Sequence, residues 1–347
     1  MTDLNLSRRG VMGALIAAGA VGAIDLGFPG TLLAADLKGA DIDSAVKAAY
    51  DKYKSLNEGK NADYIPALAQ VPSTYFGIAV VSADGKVHEA GDTTQLFSIQ
   101  SISKVLTAAL VMQESGAAKL EETVGVDATG QRFNSITAIE QYKGEEQNPL
   151  VNPGAIATVG NIKGSSPDEV WNKIIKIHSD FAGRDLEVNQ PVYKSESDTN
   201  QRNRAISMLM SAYERFPMDP SVAVDLYTRQ CSINVSARDL AAMAATLAFG
   251  GRNPITRKQV IDASNVPGVL AIMATAGMYD DSGKWLYETG LPTKSGVGGG
   301  LMAVSPGKVG IGTFAPPLDD AGNSVRGQRA INDIAATLKL NPYSQFG

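Results

Sequence analysis

Cysteine, histidine and aromatic residues are all scarce in this 347-residue chain: one cysteine, two histidines and 6% aromatics. A lone Cys231 cannot close an internal disulfide, and within "RQCSINVS" it reads as a small buried hydrophobe. A zinc site of the common Cys/His type needs more ligands than Cys231, His88 and His178 offer. A Ser-His-Asp triad is poorly supplied as well. His88 lies in the turn-and-strand segment "DGKVHEAG" and His178 in the amphipathic "WNKIIKIHSD", both ordinary structural settings. Positive charge is not in excess: 31 basic against 36 acidic residues leave a net charge of −5. Nothing there invites nucleic acid or an anionic membrane. Repeats, low-complexity tracts and long linkers are missing too. What the chain does have is 44% hydrophobic residues, enough for one large domain or two small ones with a real core.

The first 35 residues read as a targeting segment rather than as fold. Arg8 and Arg9 precede a weakly apolar run over residues 11–24, too short to span a membrane but suited to the core of a signal peptide. The arginine pair resembles a twin-arginine export signal, which predicts an exported, periplasmic protein. The alternative is a cytoplasmic chain with a chance Arg-Arg before an apolar helix. Ala34 and Ala35 are small residues without a clean Ala-x-Ala cleavage site.

Residues 41–56, "DIDSAVKAAYDKYKSL", predict an amphipathic helix in which Ser44 caps the N-terminus. Residues 75–92 predict a hairpin turning at Asp84-Gly85. A helix follows that Gly116 ends. Helices with long loops fill residues 120–265, and 290–317 returns to strands around a Ser-Pro-Gly-Lys turn. Residues from 327 close the chain as a helix. Strands near both ends and helices between predict an α+β fold in a domain over residues 36–347. Its antiparallel sheet is built from N- and C-terminal segments, at about 60–100 and 285–340, with a helical region at about 101–284 inserted. A site in such a fold sits at the seam.

Three Ser-x-x-Lys pairs occur: Ser44 with Lys47, Ser101 with Lys104, and Ser305 with Lys308. Only the middle pair, in "QLFSIQSISKVLTAALVMQESG", opens a strongly apolar helix. Residues i and i+3 share a helix face, so Lys104 can reach the Ser101 hydroxyl. The unpaired N–H groups and positive dipole of the first turn favour an oxyanion and a neutral lysine. A neutral lysine can act as general base for a serine. Spacing alone leaves a capped helix start with a snorkelling lysine as the other reading, with Ser98 as a candidate cap. A second element is Lys294-Ser295-Gly296 in "TKSGVGGG". A Lys-[Ser/Thr]-Gly strand facing Ser-x-x-Lys is the arrangement of serine β-lactamases and penicillin-binding proteins. Such a strand can supply an oxyanion-hole N–H.

Longer blocks carry a more specific likeness. "FSIQSISKVL", "NPLVNPGAI", "SESDTNQRN", "LYTRQCSINVS", "AATLAFGGRNPIT", "GMYDDSGKW" and "GLPTKSGVGGG" follow one another between residues 42 and 340, extended by "SPGKVGIGTFAPPLDDAGNSVRG". Together they resemble the serine-dependent glutaminase family, which implies a β-lactamase-like fold and hydrolysis of L-glutamine through a serine acyl-enzyme. The resemblance implies Ser101 as nucleophile, Lys104 as base and Tyr279 as proton relay. It implies substrate contacts from Asn152, Glu196, Asn203 and Tyr227, with Glu196 taking the α-ammonium group. Val297 would share an oxyanion hole with the Ser101 N–H, and Tyr64 would lie beside the substrate. No metal or organic cofactor is expected. The expected partners are L-glutamine and further copies of the chain, as a dimer or tetramer. Pro153 departs from the family's alanine and restricts Asn152. The alternatives are a β-lactamase or penicillin-binding-type hydrolase of the cell envelope, and a catalytically silent amino-acid-binding protein.

Overall fold

The computed structural model describes residues 37–145 and 147–346. The leader expected over residues 1–35, with Arg8 and Arg9, lies outside the described residues. Helix α1 (Gly39–Tyr53) and the short α2 (Pro66–Ala69) precede strands β1 (Gly77–Ser82), β2 (Val87–Gly91) and β3 (Phe97–Ser98). A single 3-10 turn over Gln100–Ile102 leads into α3 (Ser103–Ser115). The middle of the chain holds α4 (Ala117–Thr123), α5 (Ile136–Tyr142), α6 (Asn152–Gly160), α7 (Pro167–Ala182), α8 (Gln190–Asp198), α9 (Gln201–Ala212) and α10 (Pro220–Cys231). The two-residue strand β4 (Asn234–Val235) pairs with β3, and α11 (Ala237–Ala248), α12 (Val266–Ala276) and α13 (Ser282–Thr289) follow. Strands β5 (Thr293–Gly296), β6 (Gly300–Ser305) and β7 (Val309–Phe314) and helix α14 (Val325–Thr337) complete the order. None of the described helices is long and apolar enough to cross a membrane.

The main sheet has the order β2-β1-β7-β6-β5 and is antiparallel throughout. The first hairpin and the C-terminal strands therefore join as the sequence pattern predicts, through the pairing of β1 with β7. Both faces are covered, so the strands are apolar on both sides. Ile78, Val80, Leu301, Ala303 and Ile311 face α1 and α14 in one core. Ala79, Val81, Met302 and Val304 belong to a second core, continuous with α3, α11 and the helical region. Phe97 and Phe314 stack across that second core with ring centroids 3.9 Å apart.

The Ser44 expectation is corrected. Helix α1 starts at Gly39, with Lys38 at its N-cap, so Ser44 lies inside the helix and donates to Ala40 O at 2.8 Å. The early start has a tertiary cause. Gly39 fits beside the His88 ring, where a Cβ would stand 3.2 Å from it, and the His88 imidazole meets Asp43 of the first turns at 2.7 Å. His88 thus fastens α1 to β2, the structural role expected of it. His178, wholly buried on α7, hydrogen-bonds Ile174 O, and burial lowers its pKa to about 4. Gly116 ends α3 with φ +88°, as expected.

Helix α11 lies directly on β7 because Gly310 and Gly312 carry no side chain. A Cβ at Gly310 would stand 2.0 Å from Ala245 N, and one at Gly312 would stand 2.3 Å from Ala237 O. Gly312→Ala should therefore destabilise the protein by about 1–3 kcal/mol through overpacking. An unchanged urea midpoint for this variant would contradict such close packing.

Candidate active site

The segment before α3 is what places Ser101. β3 ends at Ser98, and Gln100 takes a positive φ of 52°, a strained value for a residue with a side chain. The chain then makes the 3-10 turn, so Ser101 belongs to that turn and Lys104 to the first turn of α3. Ser101 is buried, but not to the same degree as Lys104 (7% and 1% exposed). Strand β5 and its turn press on this segment. A Cβ on Gly296 would stand 2.7 Å from Ile99 O, and one on Gly298 would stand 2.7 Å from Ser98 O. Lys294-Ser295-Gly296 is thus a strand against the serine turn, as its sequence suggested. Among the described residues, no hydrogen bond takes the backbone N–H of Ser101 or of Val297.

The Lys104 Nζ donates to Asn152 Oδ1 at 2.6 Å and to Leu150 O at 3.3 Å. The i,i+3 spacing thus brings Lys104 and Ser101 to one end of α3, while the lysine's hydrogen bonds run to the start of α6. Asn152 is held from two other helices. Its Nδ2 donates to Asn203 Oδ1 on α9 at 2.9 Å, and Tyr227 Oη on α10 donates to its Oδ1 at 3.1 Å. Pro153 occupies the first turn of α6, where its missing N–H is not needed, and the Asn152 side chain keeps all three contacts. Glu196, near the end of α8, is buried, and Gln100 Nε2 donates to its Oε2 at 3.3 Å.

Tyr279 approaches from the other side. Its φ is +52°, its hydroxyl donates to Ser295 O at 3.2 Å, and the Ser101 side chain lies near enough to act on the phenol. Tyr64 is the outlier of the predicted set. It is 56% exposed and lines the mouth of a cavity of about 650 Å³ shared with Phe133, Val297 and residues 319–322. A second cavity of about 370 Å³ is also lined by Phe133, with Tyr279 in its wall.

Burial sets the charge states. It lowers the Lys104 pKa to about 8 and raises that of Glu196 to about 7. The Gln100 hydrogen bond and the Lys104 charge pull Glu196 back only in part. Burial also raises the Tyr279 phenol, against the opposing influence of the Ser101 hydroxyl. The other two Ser-x-x-Lys pairs form no such site. Lys47 pairs with Asp51, Ser305 donates to Leu340 O, and Lys308 donates to Lys339 O.

The glutaminase family model matches residues 59–343. The chain belongs to the glutaminase family. It is 52% identical over 300 residues to a glutaminase of Colwellia psychrerythraea strain 34H, covering 86% of this chain and 96% of that one. It is 50% identical over 308 residues to a glutaminase of Mycobacterium ulcerans strain Agy99, covering 89% and 96%. Among solved structures, "Probable glutaminase ybaS" superposes with a TM-score of 0.87 at 45% identity, over 89% of this chain and all of that one. A probable glutaminase from Bacillus subtilis, complexed with 6-diazo-5-oxo-L-norleucine, superposes with a TM-score of 0.75 at 29% identity, over 88% and 95%. The fold is β-lactamase-like, and the enzyme is an amidohydrolase acting on glutamine.

Several features of this candidate site carry no sequence signal. Ser98 does not cap α3, because its Oγ accepts from Gln100 Nε2 at 3.1 Å. Ser103 donates to Gln100 O at 2.7 Å and lies 3.8 Å from Cys231 Sγ. Gln100 itself was missed, since only its positive φ turns its amide onto Glu196. Phe133 was missed too. Its carbonyl accepts the Asn152 N–H at 2.6 Å and its ring centroid is 5.1 Å from that of Tyr279. A loop aromatic has no pattern that points to such a role. Among the described residues, no group of three or more His, Cys, Asp or Glu is placed to hold a metal ion.

Lys104 can accept a proton only when neutral, and Glu196 can pair with an ammonium group only when ionised. The kcat/KM for glutamine should rise with pH as Glu196 and Lys104 lose protons near about 7 and about 8. A profile that falls over that interval would contradict these charge states.

Proposed function

We propose that this glutaminase hydrolyses L-glutamine through a glutamyl ester on Ser101. Neutral Lys104 takes the hydroxyl proton as Oγ attacks the side-chain carboxamide carbon. The tetrahedral oxyanion lies between the Ser101 and Val297 N–H groups. The proton returns through the Tyr279 hydroxyl to the leaving nitrogen, the C–N bond breaks, and ammonia departs. Water then attacks the ester carbon and gives its proton to Lys104, and Ser101 Oγ recovers a proton as glutamate leaves. The observation that carries this reading is the burial of Lys104 beside Ser101, with neutral oxygens as its hydrogen-bond partners.

Recognition of the amino-acid head fits the opposite wall. Glu196 receives the α-ammonium group, and the arriving positive charge favours its ionised form. Asn152, Asn203 and Tyr227 form a neutral hydrogen-bonding surface beside it. Tyr64, at the cavity mouth, stands beside the bound substrate. Ser101→Ala should still bind glutamine while ammonia release falls by several powers of ten. Wild-type turnover by this variant would end the proposal.

Export through the twin-arginine route is part of the same reading, supported by Arg8 and Arg9 before the apolar run at residues 11–24. Arg8→Lys with Arg9→Lys should retain the protein in the cytoplasm. Secretion unaffected by that change would refute this route. A homo-oligomer, dimer or tetramer, is proposed on the family resemblance, and light scattering of the purified protein measures it.

A further inference from the structure

Lys294 is a fully buried lysine that the proposed steps leave unused. It lies on β5 opposite Met302 of β6, with 0% exposure. Its Nζ donates to Gly277 O at 3.0 Å and to Ser295 O at 2.7 Å. It also stands 4.3 Å from the centroid of the Tyr279 ring. No carboxylate lies within ion-pair distance of it among the described residues.

Both of its acceptors belong to the frame that holds Tyr279. Gly277 precedes the tyrosine by two residues, and its carbonyl also accepts the Ser295 N–H at 3.0 Å. A Cβ on Gly277 would stand 1.8 Å from Thr293 O, so this segment is pressed against β5. The Ser295 carbonyl accepts the Tyr279 hydroxyl as well as the lysine. One amine therefore links the backbone just before Tyr279, the ring face, and the oxygen to which the phenol is tethered. A neutral amine has two N–H donors, and two carbonyls are present to take them. Burial and the Lys104 charge both favour that neutral form.

Tyr279 needs such a frame. It sits at φ +52°, a backbone conformation that costs a non-glycine residue free energy unless its surroundings impose it. We propose that Lys294 is a positioning residue for proton transfer, fixing the Tyr279 hydroxyl against Ser101 by bridging Gly277 O and Ser295 O beneath the ring. It touches neither substrate nor the reacting atoms. Glu196, Asn152, Asn203 and Tyr227 belong to α8, α6, α9 and α10, none of which Lys294 hydrogen-bonds. Loss of the amine should therefore act on kcat and spare KM.

The inference rests on Tyr279 acting as the relay, and a double-mutant cycle tests the two together. The variants are Lys294→Met, Tyr279→Phe and the double variant, assayed for ammonia release from glutamine by the full chain. Lys294→Met should lower kcat by about 10- to 100-fold with KM within about twofold. In the Tyr279→Phe background the same change should alter kcat by less than about twofold. Lys294→Gln, which keeps two N–H donors without charge, should recover part of the loss. It also carries the same cycle if the Met variant does not fold. Equal losses in both backgrounds, or a rise in KM with kcat intact, would overturn the positioning role. Normal kcat in Tyr279→Phe alone would instead remove the relay, and this inference with it.

Discussion

Lys104 is buried to the tip of its side chain, and the Asn152 amide oxygen 2.6 Å away is the acceptor at the centre of the site. A charged ammonium in such a place costs several kcal/mol unless it is paired. Burial lowers its pKa to about 8, and its hydrogen-bond partners are neutral. The same burial that would count against stability leaves a share of the lysine neutral near neutral pH, as the proposed base must be. The arrangement has a structural cost. Asn152 must face the lysine, and Asn203 and Tyr227 from two more helices hold it there. The polar network thus draws α3, α6, α9 and α10 together, and the apolar residues around it complete the helical core.

The sheet supplies the other half. Gly296 and Gly298 let the end of β5 and its turn lie against the backbone before Ser101. That contact brings Ser295, Val297 and Tyr279 to the serine from the side opposite the helices. Two buried lysines, Lys104 and Lys294, then flank the Ser101–Tyr279 pair, each hydrogen-bonded to neutral oxygens. Gly310 and Gly312 fix the seam further away, by letting α11 rest on β7. Neither half has a site alone. Chemistry at the seam follows from the chain order, since β1 and the serine turn come early and β5 to β7 come late.

Much of this was legible because it is local. The hairpin at residues 75–92, the apolar α3 ending at Gly116, and the late strands all carry short-range patterns of period and turn chemistry. The Ser101 and Lys104 spacing is of the same kind, although by spacing alone it is one of three pairs. The order of long motifs singles it out, and those motifs lie within the residues the family model matches. What escaped depends on single torsions or on distant contacts. Ser98 reads as a cap until the positive φ at Gln100 places an amide on its hydroxyl. Ser44 reads as a cap until His88, far along the chain, anchors the start of α1. The motifs pick out Glu196, but its burial comes only from tertiary packing. Phe133 has no pattern at all.

The central claim is that bond cleavage passes through an ester on Ser101. Acid-quenching the wild-type enzyme during turnover of glutamine, then mapping its peptides by mass spectrometry, tests this directly. A glutamyl adduct, labile to alkali, is expected on the peptide carrying Ser101 and should be missing from Ser101→Ala. An adduct on another residue, or rapid turnover with no adduct on any residue, would contradict the claim.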